Sequence, residues 1–151
     1  MILVSHRGNL FGPDDLLENN PTKVAELVNR GFHVEVDVWS QDGKLYLGHD
    51  EPSMFVTTDF ILHPNIWCHA KNIEALEYLL TINAKCFWHQ TDEYTLTSEN
   101  VIWTYPGYTI TPKSVIVCKT IEETEKTLQQ DVYGVCSDYV GYYENWIEGK
   151  Q

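Results

Sequence analysis

Short apolar segments rich in β-branched and aromatic residues recur along this chain, with helical patterns between several of them. The segments lie at 2–5, 32–39, 45–48, 66–70, 86–89, 101–105, 114–118 and 133–137. Each is too short for a helix and reads as a strand. Val24, Leu27 and Val28 recur at helical spacing, with Pro21 in the first turn and Gly31 past the end. Ile73, Leu76 and Leu80 mark a second helix after Asn72, and Ile121, Thr124 and Leu128 a third after Thr120. A last amphipathic piece covers 142–147, and "QDGK" between two strand runs has the composition of a tight hairpin turn. Strand, helix, strand alternation predicts parallel pairing through right-handed crossovers.

That alternation points to a barrel, but a full (β/α)₈ barrel typically takes ~250 residues. With 151 residues, several crossover helices must be short or missing. The expectation is therefore one α/β domain over residues 1–151, a compact, reduced (β/α) TIM-type barrel, with an open α/β sheet as the alternative. A hydrophobic content of 43% supplies a core for it, since a chain of this size buries roughly 70% of its unfolded surface.

The formal charge of −12, from 22 acidic and 10 basic residues, argues against nucleic acid or an anionic membrane as a partner. An anionic substrate needs a local cation here, which an arginine or a bound metal supplies. No stretch approaches the ~20 apolar residues of a membrane span, and the first four residues are too short for a signal peptide. Stable membrane insertion is not expected. Cys68, Cys86, Cys118 and Cys136 each sit in an apolar run and form no CxxC pair. They read as buried free thiols of a reducing, cytoplasmic setting.

Three stretches carry chemistry. In "FHVEVDVW" the strand period puts His33, Glu35, Asp37 and Trp39 on one face and Val34, Val36 and Val38 on the other. Two carboxylates on one interior face need partners. The spacing leaves two solutions open: a salt bridge to a neighbouring strand, or a divalent ion held by oxygen ligands. His6 and Arg7 close the first strand in "VSHRG", and His49 and Asp50 close the strand after "QDGK". Residues following different parallel strands converge at one sheet edge. Two histidines there suit general acid–base work, although a lone histidine is more often a hydrogen-bonded structural residue.

In combination, "SHRG", "DDLLENNP" and "GFHVEVDVWSQDGKLYLGHD" closely resemble the N-terminal half of the glycerophosphodiester phosphodiesterase family. That family's pattern runs HRG, ENT, ExD, a TKDG-type turn and HD, and the match covers Val4 to about Glu51. "WCHAKN" stands where the family carries a strand reading roughly LEIK, and "YGVCSDYVG" resembles its terminal strand. The resemblance implies that His6 and His49 are the acid–base pair and that Arg7 holds the substrate phosphate, helped by Lys71. It implies that Glu35 and Asp37 bind a divalent metal, Mg²⁺ or Ca²⁺, with Glu18 in or just behind that site. The substrate's own neighbouring hydroxyl would attack phosphorus. His69 replaces the family's third acidic ligand. Either it ligates, which suits Mn²⁺ or Zn²⁺ better, or it packs beside the site. The implied partner is a small phosphodiester. The rivals are a phospholipase C- or D-like enzyme on a lipid headgroup, for which "EPSMFV" offers Met54 and Phe55, and a catalytically silent phosphate-binding domain.

Trp88, His89, Asp92, Tyr94, Trp103 and Tyr105 cluster in "CFWHQTDEYTLTS" and "IWTYPG". Core packing is the simplest role for most of them, with stacking of Trp88 or Trp103 on a substrate as the functional alternative. His33 and His63 read as structural. Asp138 either orients a site residue or caps the last helix.

Overall fold

A computed structural model describes residues 1–149 of the chain. Strand β1 (Ile2–His6) leads through a long loop to α1 (Pro21–Asn29), β2 (His33–Gln41), β3 (Lys44–Leu47), β4 (Met54–Val56) and α2 (Thr58–Ile61). Then come β5 (Ile66–Ala70), α3 (Ile73–Thr81), β6 (Cys86–Phe87), β7 (Tyr94–Leu96) and β8 (Ile102–Thr104). The chain continues through β9 (Ser114–Cys118), α4 (Ile121–Leu128), β10 (Gly134–Ser137), a 3₁₀ turn (Val140–Tyr143) and α5 (Asn145–Glu148). Helix starts follow local chemistry. The side chains of Asn20, Asn72 and Thr120 accept from the backbone N–H groups of Lys23, Ala75 and Glu123, capping α1, α3 and α4. Asp42 and Gly43 both take positive φ, 52° and 75°, the requirement of a type I′ turn, so "QDGK" closes the β2–β3 hairpin.

The described residues form a mixed α/β protein with a ten-stranded sheet and five α-helices. β6, β5, β2, β1, β10, β9 and β8 pair in parallel in that order. β3, β4 and β7 are antiparallel additions. The expected parallel alternation is therefore present. β4, β7 and α2, of three or four residues each, are too short to show a period in the sequence. The piece at 142–147 is split between the 3₁₀ turn and α5. Among the described residues the sheet is not closed: its pairing ends at β6 and at β7, and at β4 on the branch through β3. The segment 95–98, which begins within β7, bonds the chain at β6 and just beyond it: Ser98 N–H donates to the Cys86 carbonyl at 2.9 Å, and the Thr95 hydroxyl to the Trp88 carbonyl at 2.7 Å.

The sheet has a core on each face. Val34, Val36 and Val38 lie in register with Ile66, Cys68 and Ala70 and pack under Leu27, Ala75 and Leu79 of the helices. On the other face Val4, Trp67, Phe87, Trp103, Val115 and Cys136 form a separate cluster. Trp67 packs against Trp103, and Phe87 stacks on Trp103 with centroids 4.7 Å apart. This second face takes the odd positions of β2, so Glu35 lies beside Trp67 and Asp37 beside His69. All four cysteines are buried and free, and burial raises each thiol above its ordinary range.

Candidate functional site

β1 and β3 follow one another along one edge of β2. The Arg7 N–H donates to the Glu35 carbonyl at 2.9 Å and the Gly48 N–H to the Asp37 carbonyl at 3.2 Å. The chain therefore leaves β1 at His6-Arg7 and re-enters beyond Gly48, bringing both HR and HD onto the two carboxylates. β5 occupies the other edge and delivers His69 and Lys71. Arg7 and Asn19 both hold left-handed φ, 55° each, a conformation costly for a non-glycine residue and concentrated at functional positions. In this conformation they meet Asp37 from two sides.

Asp37 is fully buried, and Glu35 is 4% exposed. Asp37 Oδ2 takes the Arg7 Nε ion pair at 3.0 Å and the Asn19 amide at 3.0 Å, with His49 Nδ1 at 3.5 Å. Its Oδ1 faces His69 Nδ1 at 3.2 Å, with Lys71 Nζ at 4.0 Å. Glu35 Oε1 lies 3.7 Å from His69 Nδ1, and its Oε2 lies 3.9 Å from His6 Nε2. Asp37 Oδ1 and Glu35 Oε2 are buried without a directed hydrogen bond. One ligand atom from each of Glu35, Asp37 and His69 falls within 4.8 Å of the others.

Burial and then the Asp37 charge raise the Glu35 carboxyl above its ordinary range. Burial also acts to raise Asp37, but the close His69 imidazole, Arg7 and the Asn19 amide outweigh it and bring Asp37 to about 2. For His69, the lowering effect of burial is exceeded by the close Asp37 carboxylate and the Glu35 charge, so its pKa rises. The pair is thus split, one carboxylate firmly ionised and the other resisting ionisation.

His6 Nδ1 contacts Asp138 Oδ1 at 2.8 Å. Burial lowers its pKa, but the Asp138 hydrogen bond and Glu35 raise it more. Asp138 in turn is held below its ordinary value, because the His6 hydrogen bond and charge overcome its burial. Of the two roles open for Asp138, the structure supports the orienting one. The Asn9 amide bridges Asp138 and Glu18 at 2.8 and 2.9 Å.

Of the residues singled out in the sequence, His6, Arg7, Glu35, Asp37, His49, His69 and Lys71 meet at this point. Glu18 stands behind it, bound to Asn9 and to Arg7 Nη1 at 3.4 Å. Asn9 and Asn19 carry no separate sequence assignment. Their signal is an asparagine in or next to a site motif, and Asn19 tolerates the left-handed backbone it needs.

A cavity of about 380 Å³, lined by Arg7, His49, His69, Lys71, Trp88 and His89 among others, opens beside the carboxylates. A larger hollow of about 500 Å³ lies away from them, between the Tyr105–Ile110 loop and α4. Trp88 is thus a cavity wall, whereas Trp103 is core. His89 stacks on Tyr105 at 3.9 Å and lies 3.9 Å from Asp92. His33 accepts the Trp67 indole N–H, and His63 accepts the Asn65 N–H.

Comparison of the chain with family models, curated proteins and solved structures returned no match.

Proposed function

We propose that this protein is a metal-dependent phosphodiesterase of the glycerophosphodiester type, acting on a reduced (β/α) barrel. The barrel reading is supported by the side-chain and backbone bonds that run from β7 and the residues after it to β6 and the residues after it. The functional reading rests on one observation. Two buried carboxylates each keep one oxygen without a directed hydrogen bond, Asp37 Oδ1 towards His69 and Glu35 Oε2 towards His6, beside a cavity lined by Arg7 and Lys71. Buried carboxylate oxygens without hydrogen bonds are costly unless a cation meets them, so the donor set fits a divalent ion held by Glu35 and Asp37.

When bound, such an ion stabilises charge on the phosphoryl oxygens. The remaining steps belong to the chain. Arg7, anchored on Asp37 and Glu18, aims a guanidinium at the phosphate. Asp138 engages His6 Nδ1, leaving Nε2 as the proton-accepting nitrogen. A neighbouring substrate hydroxyl loses its proton to that nitrogen and forms a new P–O bond. The P–O bond to the leaving alcohol breaks as His49, on the Asp37 side, supplies a proton. Water then opens the cyclic product by the reverse roles. Lys71 adds positive charge on the cavity wall. The substrate is a small diester, and no nucleic acid partner is proposed. A lipid-headgroup diester is the second reading, supported by the exposed Met54, which lines a hollow with His49, and its exposed β4 neighbour Phe55.

Hydrolysis of bis(p-nitrophenyl) phosphate and glycerophosphocholine, with and without EDTA and beside His6→Ala, tests the proposal. The expected result is turnover that chelation abolishes and that His6→Ala lowers by about 10²–10⁴-fold. Activity indifferent to both would overturn it. Turnover confined to phosphatidyl substrates in vesicles would favour the lipid reading.

A further inference from the structure

We infer that the Glu35, Asp37 and His69 group selects a borderline first-row ion, Zn²⁺ above all, over Mg²⁺ and Ca²⁺. This deepens the metal-dependent reading above and rests on it.

The inference starts from the orientation of one ring. His69 Nε2 lies 3.0 Å from the His89 carbonyl oxygen. A carbonyl only accepts, so Nε2 carries the proton. In the neutral ring the lone pair is then on Nδ1, the nitrogen that faces Asp37 Oδ1 and Glu35 Oε1 at 3.2 and 3.7 Å. Metal-bound histidines are typically fixed in this way, with the second nitrogen donating to a carbonyl or carboxylate. The ring is also held from its face. It stacks on Phe87 with centroids 5.1 Å apart and planes 11° from parallel, and Phe87 stacks in turn on Trp103.

Both carboxylates present oxygens toward that nitrogen. Asp37 Oδ2 is engaged by Arg7 and Asn19, while its Oδ1 faces His69 and is buried without a directed hydrogen bond; Glu35 turns Oε1 towards His69 and keeps its unbonded Oε2 on the His6 side. The result is one imidazole nitrogen and two carboxylates on two adjacent strands, with the cavity on the open side. Three protein donors with an open position are the pattern of catalytic zinc. Mg²⁺ and Ca²⁺ instead take oxygen ligands, and an imidazole donor suits zinc and other first-row ions. Phe87 and Trp103 stack in turn beneath the His69 ring and hold it in this orientation.

The rival role for His69 is an imidazolium counter-ion to the two carboxylates, with no metal on Nδ1. Calorimetric titration of metal-stripped protein with Zn²⁺, Mg²⁺ and Ca²⁺ separates the two, without reference to turnover. Zn²⁺ should bind at least about 100-fold more tightly than either, and His69→Gln should weaken Zn²⁺ about 10–100-fold with little effect on Mg²⁺. His69→Glu should narrow the Zn²⁺/Mg²⁺ ratio. Co²⁺ added to the native protein should give a visible d–d band that His69→Gln alters, with circular dichroism verifying the fold of each variant. Zn²⁺ binding no tighter than Mg²⁺, or unchanged in a folded His69→Gln, overturns the inference. If Zn²⁺ binds through His69 but no diester is cleaved, the phosphodiesterase reading falls and the metal assignment stands. Cleavage supported by Mg²⁺ without Zn²⁺ preference has the opposite consequence.

Discussion

His33 and His69 project from adjacent strands onto one face of the sheet, with Trp67 lying two residues from His69 on β5. Their surroundings are opposite. His33 Nδ1 accepts the Trp67 indole N–H at 3.0 Å, and burial with nearby Lys85 and His63 lowers its pKa to about 4. His69 faces Glu35 and Asp37, and its pKa rises. At the His33 end, polar groups pair among themselves above aromatic packing. At the His69 end, buried oxygens lack directed hydrogen bonds. The same strand period built both ends, so neighbouring charge, not residue type, separates the paired end from the end proposed to hold a metal.

Breaking the packed layer should have the largest effect on stability. Trp67→Ala removes the indole that packs on Trp103 and donates to His33, and should cost about 3–5 kcal/mol in urea unfolding. Metal affinity of the molecules that remain folded should change far less. An equal loss of both would mean that the two layers are one unit.

Breaking the polar end should do the reverse. Glu35→Gln should lower diester turnover about 10²–10³-fold, by removing charge stabilisation worth several kcal/mol. Urea unfolding should show stability held or increased, because a buried carboxylate next to Asp37 is self-repelling. A large loss of stability would place Glu35 among the structural ion pairs.

The two ends were not equally legible in the sequence. The period of "FHVEVDVW" puts Glu35 and Asp37 on one face, and Asn72 and Thr120 mark helix starts that the structure bears out. These are local signals within a few residues. The contacts that organise the site span the chain: Asn19 to Asp37 across 18 positions, and His6 to Asp138 across 132. No local period encodes them, so nothing near Asn9, Asn19 or Asp138 in the sequence announces the partner that each one meets. Trp88 and Trp103 look alike in sequence, but Trp88 falls just past the end of β6 and lines the cavity, whereas Trp103 lies inside β8 and joins the second core. β4 and β7 exist because β3 and β8 offer them an edge, not because of a pattern of their own.

A pH titration sharpens the comparison at the His33 end. Its folded pKa of about 4 lies below the unfolded value near 6.5. The unfolded chain therefore binds the proton first as pH falls. The stabilisation is fully present above pH 6.5 and is lost between there and about pH 4, on the order of 2–3 kcal/mol after allowance for partial exposure. His33→Gln, which keeps an acceptor for Trp67, should flatten that part of the curve relative to the native protein. An unchanged difference between the two curves would show that His33 is charged in the folded state.

The smallest expected effect concerns the group that holds His6. Asp138 engages Nδ1 at 2.8 Å and raises the imidazole pKa through the hydrogen bond and its charge. Asp138→Asn keeps the shape and an acceptor oxygen, and the Asn9 amide can still donate to it. The substitution removes the counter-charge that favours imidazolium. Turnover should fall about 10-fold, and the acid limb of the kcat/KM profile should move to lower pH, because His6 then loses its proton more readily. A substitution that only loosened the fold would lower the whole profile without shifting its limb. The direction of the shift also separates the histidines, since His49 has no contact with Asp138 among the described residues and sits beside Asp37 and Asp50. A limb that moves with Asp138→Asn is therefore the titration of His6, and one that stays in place assigns the base to another group.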